Sequence, residues 1–219
     1  IAQRQGRAKN SNDLTQPAIL KMMAMGGEGS IIDRLKQLHI VPLTISYEYD
    51  PCDYLKAREY QLRRDVPYWK KTAEDDMESM LVGIKGFKGH IFYRCAPCID
   101  EWLDTVDAEQ PKNKLFDEIA AHIDREIHSN YELYPCNYVA LDMIQDTKVY
   151  EEYYTSEDYQ KFDEYINGQI EKIDIENRDD HFLRTCLLTQ YAYPAKNYIA
   201  ASSENGRFKS LLNRLTFKK

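Results

Sequence analysis

One stretch of strict alternation, entered through a proline, constrains this chain more than any other. In residues 40–49, IVPLTISYEY, the apolar side chains Val41, Leu43, Ile45 and Tyr47 alternate with Thr44 and Ser46. Successive strand side chains point to opposite faces, so the pattern predicts a strand with one apolar and one polar face, the apolar one left uncovered where the missing half of the sheet would lie. Pro42 has no N–H to give a ladder and belongs at the strand's beginning or at an edge. The flanking segments have helical character instead. Pro17 reads as the first turn of a helix carrying Ile19, Leu20, Met22, Met23 and Met25, which Gly26 and Gly27 stop. Ser30 reads as the cap of a second helix with Ile31, Leu35 and Leu38 on one side. A short second strand is expected over residues 90–93, behind a turn bracketed by Gly86 and Gly89. Helices between strands make this an α/β chain.

Beyond the strands, helices take over. Residues 54–65 and 74–81 read as charge-rich helices, and Leu115, Ile119, Ile123 and Ile127, each four apart, predict an amphipathic helix packed on the sheet. Between residues 142 and 180 stand 13 acidic and 4 basic residues, a net of −9 that exceeds the whole chain's −7. A helix capped by Ser156 carries Tyr159, Phe162, Ile166, Ile170 and Ile173 as its apolar stripe. A last helix holding Phe182, Leu183, Cys186 and Leu187 is expected to bend or stop by Pro194. The division is therefore residues 1–140, a partial sheet with packed helices, and residues 141–219, a mainly helical extension.

Charge and thiols narrow the partners. A net charge of −7 argues against nucleic acid, whose binding needs a basic footprint. No run of 18 apolar residues is present to span a bilayer. Five cysteines, an odd number in a long chain, read as free thiols of a reducing compartment. Cys95-Ala96-Pro97-Cys98 is a CxxC pair, but zinc wants a second pair or a well-spaced histidine, so the reading is two thiols at a strand end. Glu74, Asp75, Asp76 and Glu78 read as a solvated helix face, and no metal is expected.

The candidate chemistry lies in the first ten residues, IAQRQGRAKN. An apolar start, read as the end of a buried strand, runs into Gly6, flanked by Arg4, Arg7 and Lys9 with Gln5 beside it. Glycine lets backbone N–H groups approach an oxyanion, and guanidinium offers a planar fork to two phosphate oxygens.

Gln5-Gly6-Arg7 resembles the phosphate-holding turn of the glycerophospholipid acyltransferases of the 1-acyl-sn-glycerol-3-phosphate acyltransferase type. Val41-Pro42-Leu43-Thr44-Ile45 is similar to that family's apolar Val-Pro strand. With Ser46-Tyr47-Glu48-Tyr49-Asp50-Pro51-Cys52-Asp53 it looks like the branch found in Bacteroides-type bacteria. Further matches are Ala24-Met25-Gly26-Gly27-Glu28-Gly29-Ser30, Lys88-Gly89-His90-Ile91 and Tyr134-Pro135-Cys136-Asn137-Tyr138, to about residue 150. Two features depart from the family. Gln5 stands where the turn usually carries Glu, and none of the five histidines is followed, five residues on, by the Asp of the family's His-x4-Asp pair.

The resemblance implies a partial acyltransferase-type sheet and transfer of an acyl group from acyl-CoA or acyl carrier protein, as co-substrate, to a lysophospholipid hydroxyl. No other cofactor is implied. In that reading Arg7 and the Gly6 N–H hold the acceptor phosphate, Arg4 and Lys9 add positive potential, and Gln5 and Pro42 support the turn and its neighbouring strand. The catalytic His and Asp are expected outside this chain, which reads as the C-terminal part of the enzyme and inactive by itself. The expected location is cytoplasmic, at the inner face of the cell membrane. The alternative is a non-catalytic scaffold or partner-binding protein built on an acyltransferase remnant. Residues 206–219 hold five bases, no acid, and Phe208, Leu211, Leu212 and Leu215 at helical spacing. They read as a basic amphipathic helix that lies on anionic lipid or docks on the protein's own core.

Overall fold

The structure, a computed structural model, describes residues 1–4 and 8–204. In chain order the elements are α1 (Pro17–Met23), α2 (Ile31–Lys36), β1 (Leu43–Tyr47), α3 (Asp53–Asp65), α4 (Ala73–Lys85), β2 (Ile91–Cys95), α5 (Asp100–Leu103), α6 (Lys112–Ser129), α7 (Pro135–Gln145), α8 (Ser156–Glu171) and α9 (Asp180–Glu204). The chain is mixed α/β. Among the described residues its sheet is the antiparallel pair β1–β2, with Leu43 opposite Cys95, Ile45 opposite Tyr93 and Tyr47 opposite Ile91.

Alternation in β1 is present, and its apolar face is the open one. Thr44 is 1% exposed and Ser46 6%, whereas Leu43, Ile45 and Tyr47 lie open to solvent. The cause is what waits beneath the ribbon. The last turn of α6 and the segment after it present backbone polar groups there. Thr44 Oγ1 donates to the Ile127 carbonyl at 2.9 Å, and Ser46 Oγ accepts from the Glu132 N–H at 3.0 Å. Hydroxyls satisfy these groups and methyls cannot. On β2, Ile91 and Tyr93 extend the open apolar face.

Two apolar clusters hold the helices. Leu20, Ile32, Leu35, Ile99, Leu103, Leu115, Ile119, Ile123 and Ile127 join α1, α2, α5 and α6. The four-residue spacing in α6 is thus a buried stripe, packed chiefly on helices and, through the Ile127 carbonyl, on the polar face of β1. The second cluster joins α7, α8 and α9 around Val139, Phe162, Ile166, Leu183, Leu187 and Tyr191, and it takes in Ala57 of α3. Residue 140, the expected division, falls inside α7, whose Val139, Ala140 and Leu141 are all buried in this cluster.

Local expectations fare unevenly. Ser30 caps α2 with a reciprocal Asp33 bond, but that helix ends at Lys36 and leaves Leu38 exposed. The cap of α8 is Thr155, one residue before Ser156, because its side chain meets the Asp158 N–H, and Tyr159 lies exposed off the stripe. Pro194 sits inside α9 without ending it. Burial of Ala195 and Ile199 on either side of the next turn outweighs the roughly 3 kcal/mol that an interior proline costs. No strand forms at residues 1–4. Ile1 and Ala2 are exposed, and the segment is held by the Gln16 N–H to the Gln3 carbonyl at 2.8 Å.

The buried polar face of the ribbon has a measurable consequence. Ser46→Ala leaves the Glu132 N–H without its acceptor and is expected to destabilise the fold by about 1–3 kcal/mol. Ile45→Ser, on the open face, is expected to change stability by less than about 0.5 kcal/mol. Urea unfolding of both variants ranks them; the opposite order would mean that the Ile45 face is the packed one.

Candidate functional site

Gln5, Gly6 and Arg7, the centre of the expected phosphate turn, lie outside the described residues. Its described flanks are Arg4 and Lys9, and each meets an acid. Arg4 Nη1 lies 3.8 Å from Asp13 Oδ1, the oxygen that also accepts the Ala8 N–H at 3.1 Å. Lys9 Nζ pairs with Glu59 of α3, and Arg63 reaches the same Glu59 oxygen at 2.8 Å. The Arg4 pair is loose, and Arg4 Nε is buried with no hydrogen-bond partner among the described residues. Pro42 is buried and hands its carbonyl to the Ala96 N–H at 2.9 Å, so it holds β1 to the chain beyond β2.

The segment after this turn is anchored to α6. The N–H of Thr15 gives a 2.8 Å bond to Asp124 Oδ1, its hydroxyl joins the same oxygen, and His128 Nε2 lies 3.2 Å from the Asp13 carbonyl. Burial lifts the Asp124 carboxyl above the ordinary range and lowers the His128 imidazole. Both act as fasteners, holding residues 13–15 against the helix.

Two histidines are paired with carboxylates in the manner of an acid–base dyad. His39 Nδ1 lies 2.6 Å from Asp100 Oδ2, and His90 Nδ1 lies 2.7 Å from Glu48 Oε2. Both imidazoles are open to water, 78% and 84% exposed, and neither sits in a cleft that would exclude it. His122 is stacked on Trp102, ring centroids 3.7 Å apart, and its burial, then the Arg125 charge, bring its pKa down to about 4. It is neutral at ordinary pH and serves packing.

The most perturbed described carboxylate is Asp53, at the start of α3. It is fully buried and accepts bonds at Oδ2 from the hydroxyls of Tyr165 at 2.7 Å and Tyr191 at 2.6 Å, which also meet each other at 3.0 Å. Desolvation pushes its pKa up to about 6 against the pull of the two tyrosine hydrogen bonds. Strong perturbation is a signature of active sites. Here the carboxylate joins α3, α8 and α9 inside the core with no path for a substrate, so its role is architectural. An open cleft lined by Asp142, Asp146, Tyr154, Tyr159 and Arg184 carries a similarly committed acid. Asp142 accepts from Thr147 Oγ1 and from the N–H groups of Val149 and Tyr150, at 2.8–3.0 Å, and from the Tyr154 hydroxyl at 2.9 Å.

Sequence reasoning placed the basic residues but missed their acids, because Glu59 lies 50 residues from Lys9. It likewise missed His39 with Asp100, 61 residues apart. In both cases the pairing is made by the fold, and no local spacing announces it. Comparison with family models, with curated protein sequences and with solved structures returns no match.

Asp53 yields a pH prediction. Its folded pKa lies above the ordinary value, so the native state holds the extra proton between about pH 4 and 6. The stability it contributes is present below about pH 4 and is lost as pH rises through 6, a change of about 3 kcal/mol for a shift of two units. Asp53→Asn is expected to flatten that slope whatever its effect on the absolute stability. Chemical denaturation at several pH values between 4 and 7 measures it, and an unchanged slope would show that Asp53 does not titrate in that window.

Proposed function

We propose that this chain takes part in acyl transfer from an acyl thioester of coenzyme A or acyl carrier protein to the hydroxyl of a lysophospholipid, with lysophosphatidic acid the type of acceptor. The chain's share is recognition of the acceptor phosphate by Arg7 and the Gly6 N–H, with Arg4 and Lys9 at the sides and the Pro42 strand as scaffold. The observation that carries the reading is Arg4. It immediately precedes Gln5-Gly6-Arg7 in the sequence, its guanidinium is only loosely held by Asp13, and it keeps a buried Nε–H donor unused among the described residues. A buried donor without an acceptor costs free energy, and a phosphate oxygen supplies one. The open apolar face of β1–β2 suits the same reading, since it is a surface on which a further layer carrying the His and Asp can pack.

A scaffold role is the second reading, favoured by α4. Met77, Met80, Leu81 and Ile84 form an exposed stripe at helical spacing, and Glu74, Asp75, Asp76 and Glu78 stand at its start. That is a surface for a basic, amphipathic partner. The two readings separate on phosphate.

Lysophosphatidic acid is expected to bind the chain in competition with inorganic phosphate. Arg7→Lys, which keeps the charge and loses the fork, is expected to weaken binding about tenfold, or about 1.4 kcal/mol. Calorimetry on Arg7→Lys and Arg7→Ala checks this, and binding unaltered in both overturns the phosphate assignment. No described helix is long and apolar enough to cross a membrane. Residues 206–219, outside the described residues, are the proposed contact with lipid. Their deletion is expected to abolish salt-sensitive sedimentation with anionic vesicles; equal sedimentation of both forms would rule them out as the anchor.

A further inference from the structure

The turn after β2 brings together three side chains of metal-binding type. A nitrogen of His39, the Cys98 sulfur and a carboxylate oxygen of Asp100 all lie within 4.8 Å of one another. We propose that His39, Cys98 and Asp100 form a zinc site of open, three-ligand type, with the fourth position facing solvent.

The backbone places these groups before any side chain acts. Beyond the β1–β2 ladder the two chains stay clamped, Ala96 N–H to the Pro42 carbonyl at 2.9 Å and Ile99 N–H to the Ile40 carbonyl at 3.0 Å. His39 and Asp100 are the next residues outward on each side. Ile99 and Leu103 are buried in the α1–α2–α5–α6 core, so the short helix carrying Asp100 stands on a fixed base. His39 has a left-handed backbone, φ 47°, which turns the chain sharply between α2 and the strand.

Ligand chemistry then selects the ion. Thiolate and imidazole favour zinc over magnesium or calcium, and a Cys–His–carboxylate set suits its tetrahedral preference. Zinc bonds of about 2.0–2.3 Å put ligand atoms roughly 3.5 Å apart, so the site needs a contraction of about 1 Å from its widest spacing. The charges balance, one thiolate and one carboxylate against a dication. The Asp100 carboxylate already ties the other two groups together, since it hydrogen-bonds both the His39 imidazole and the Cys98 thiol. The nearby Lys36 ammonium is engaged by Asp104 at 2.6 Å, which offsets its charge toward a cation.

Binding needs no redox partner. The Cys98 thiol releases one proton to solvent. The His39–Asp100 hydrogen bond opens, the imidazole carries its proton on Nε2, and the Nδ1 lone pair turns to the ion. Cys95, three residues earlier, ends β2 on the exposed face and is outside the ligand set.

The test uses the full chain, reduced and stripped with a chelator, then given Zn²⁺ alone or Co²⁺ as a spectroscopic stand-in. One equivalent of Co²⁺ is expected to give the thiolate charge-transfer band and the intense visible absorption of a tetrahedral site. Cys98→Ser should lose the charge-transfer band, His39→Ala and Asp100→Asn should each weaken Zn²⁺ binding by at least about tenfold, and Cys95→Ser should leave both intact. As a second reading, Zn²⁺ should slow alkylation of Cys98 and leave Cys95 unaffected, with circular dichroism confirming that each variant is folded. A pale octahedral cobalt spectrum, a charge-transfer band that survives Cys98→Ser, or equal Zn²⁺ affinity in all variants overturns the site.

Discussion

Burial of one carboxylate, that of Asp53, is the constraint on which the architecture rests. A charge cannot be taken out of water without compensation, and here the compensation comes from Tyr165 of α8 and Tyr191 of α9. Because both hydroxyls must reach one oxygen, the start of α3 is fixed relative to two helices far along the chain. The other end of α3 is fixed by Gln61, which donates to the Asn177 carbonyl at 2.9 Å and accepts the Asp179 N–H at 3.1 Å. Held at both ends, α3 makes the acidic C-terminal helices part of the same body as the residues that precede them.

The same logic of paired charge governs Arg4 and Lys9. Lys9 and Arg63 converge on Glu59, an acid only 9% exposed in its side chain, while Arg4 faces the more open Asp13. Charges that meet acids inside a fold are pre-positioned but also partly neutralised. If a phosphate binds here as proposed, Arg4 would be the easier of the two to recruit, since Lys9 is the more committed to structure.

What the sequence made legible was whatever depends on neighbours in the chain. The α6 stripe, the Ser30 cap and the strand period all follow from spacing within a few residues, and all are present. The partners of β1's polar face were not legible, because they are a carbonyl at Ile127 and an N–H at Glu132 that have no trace in residues 40–49. The passage of α9 through Pro194 depends on the burial of Ala195 and Ile199, again a tertiary fact. For the candidate site, the basic residues could be read from local composition. Their acids, and the meeting of His39 with Cys98 and Asp100, come only from folding.

The Asp53 hub also bears on the order of events as the chain is made. Asp53 and Tyr191 are 138 residues apart, so the bond between them closes one of the longest loops in the molecule. A chain emerging from its N-terminal end can assemble α1, α2, α5 and α6 around their own cluster well before Tyr191 exists outside the ribosome. Until then Asp53 stays hydrated and ionised, with the titration of an ordinary surface acid. Its protonation behaviour therefore follows the docking of α8 and α9, whose burial of the carboxylate raises its pKa.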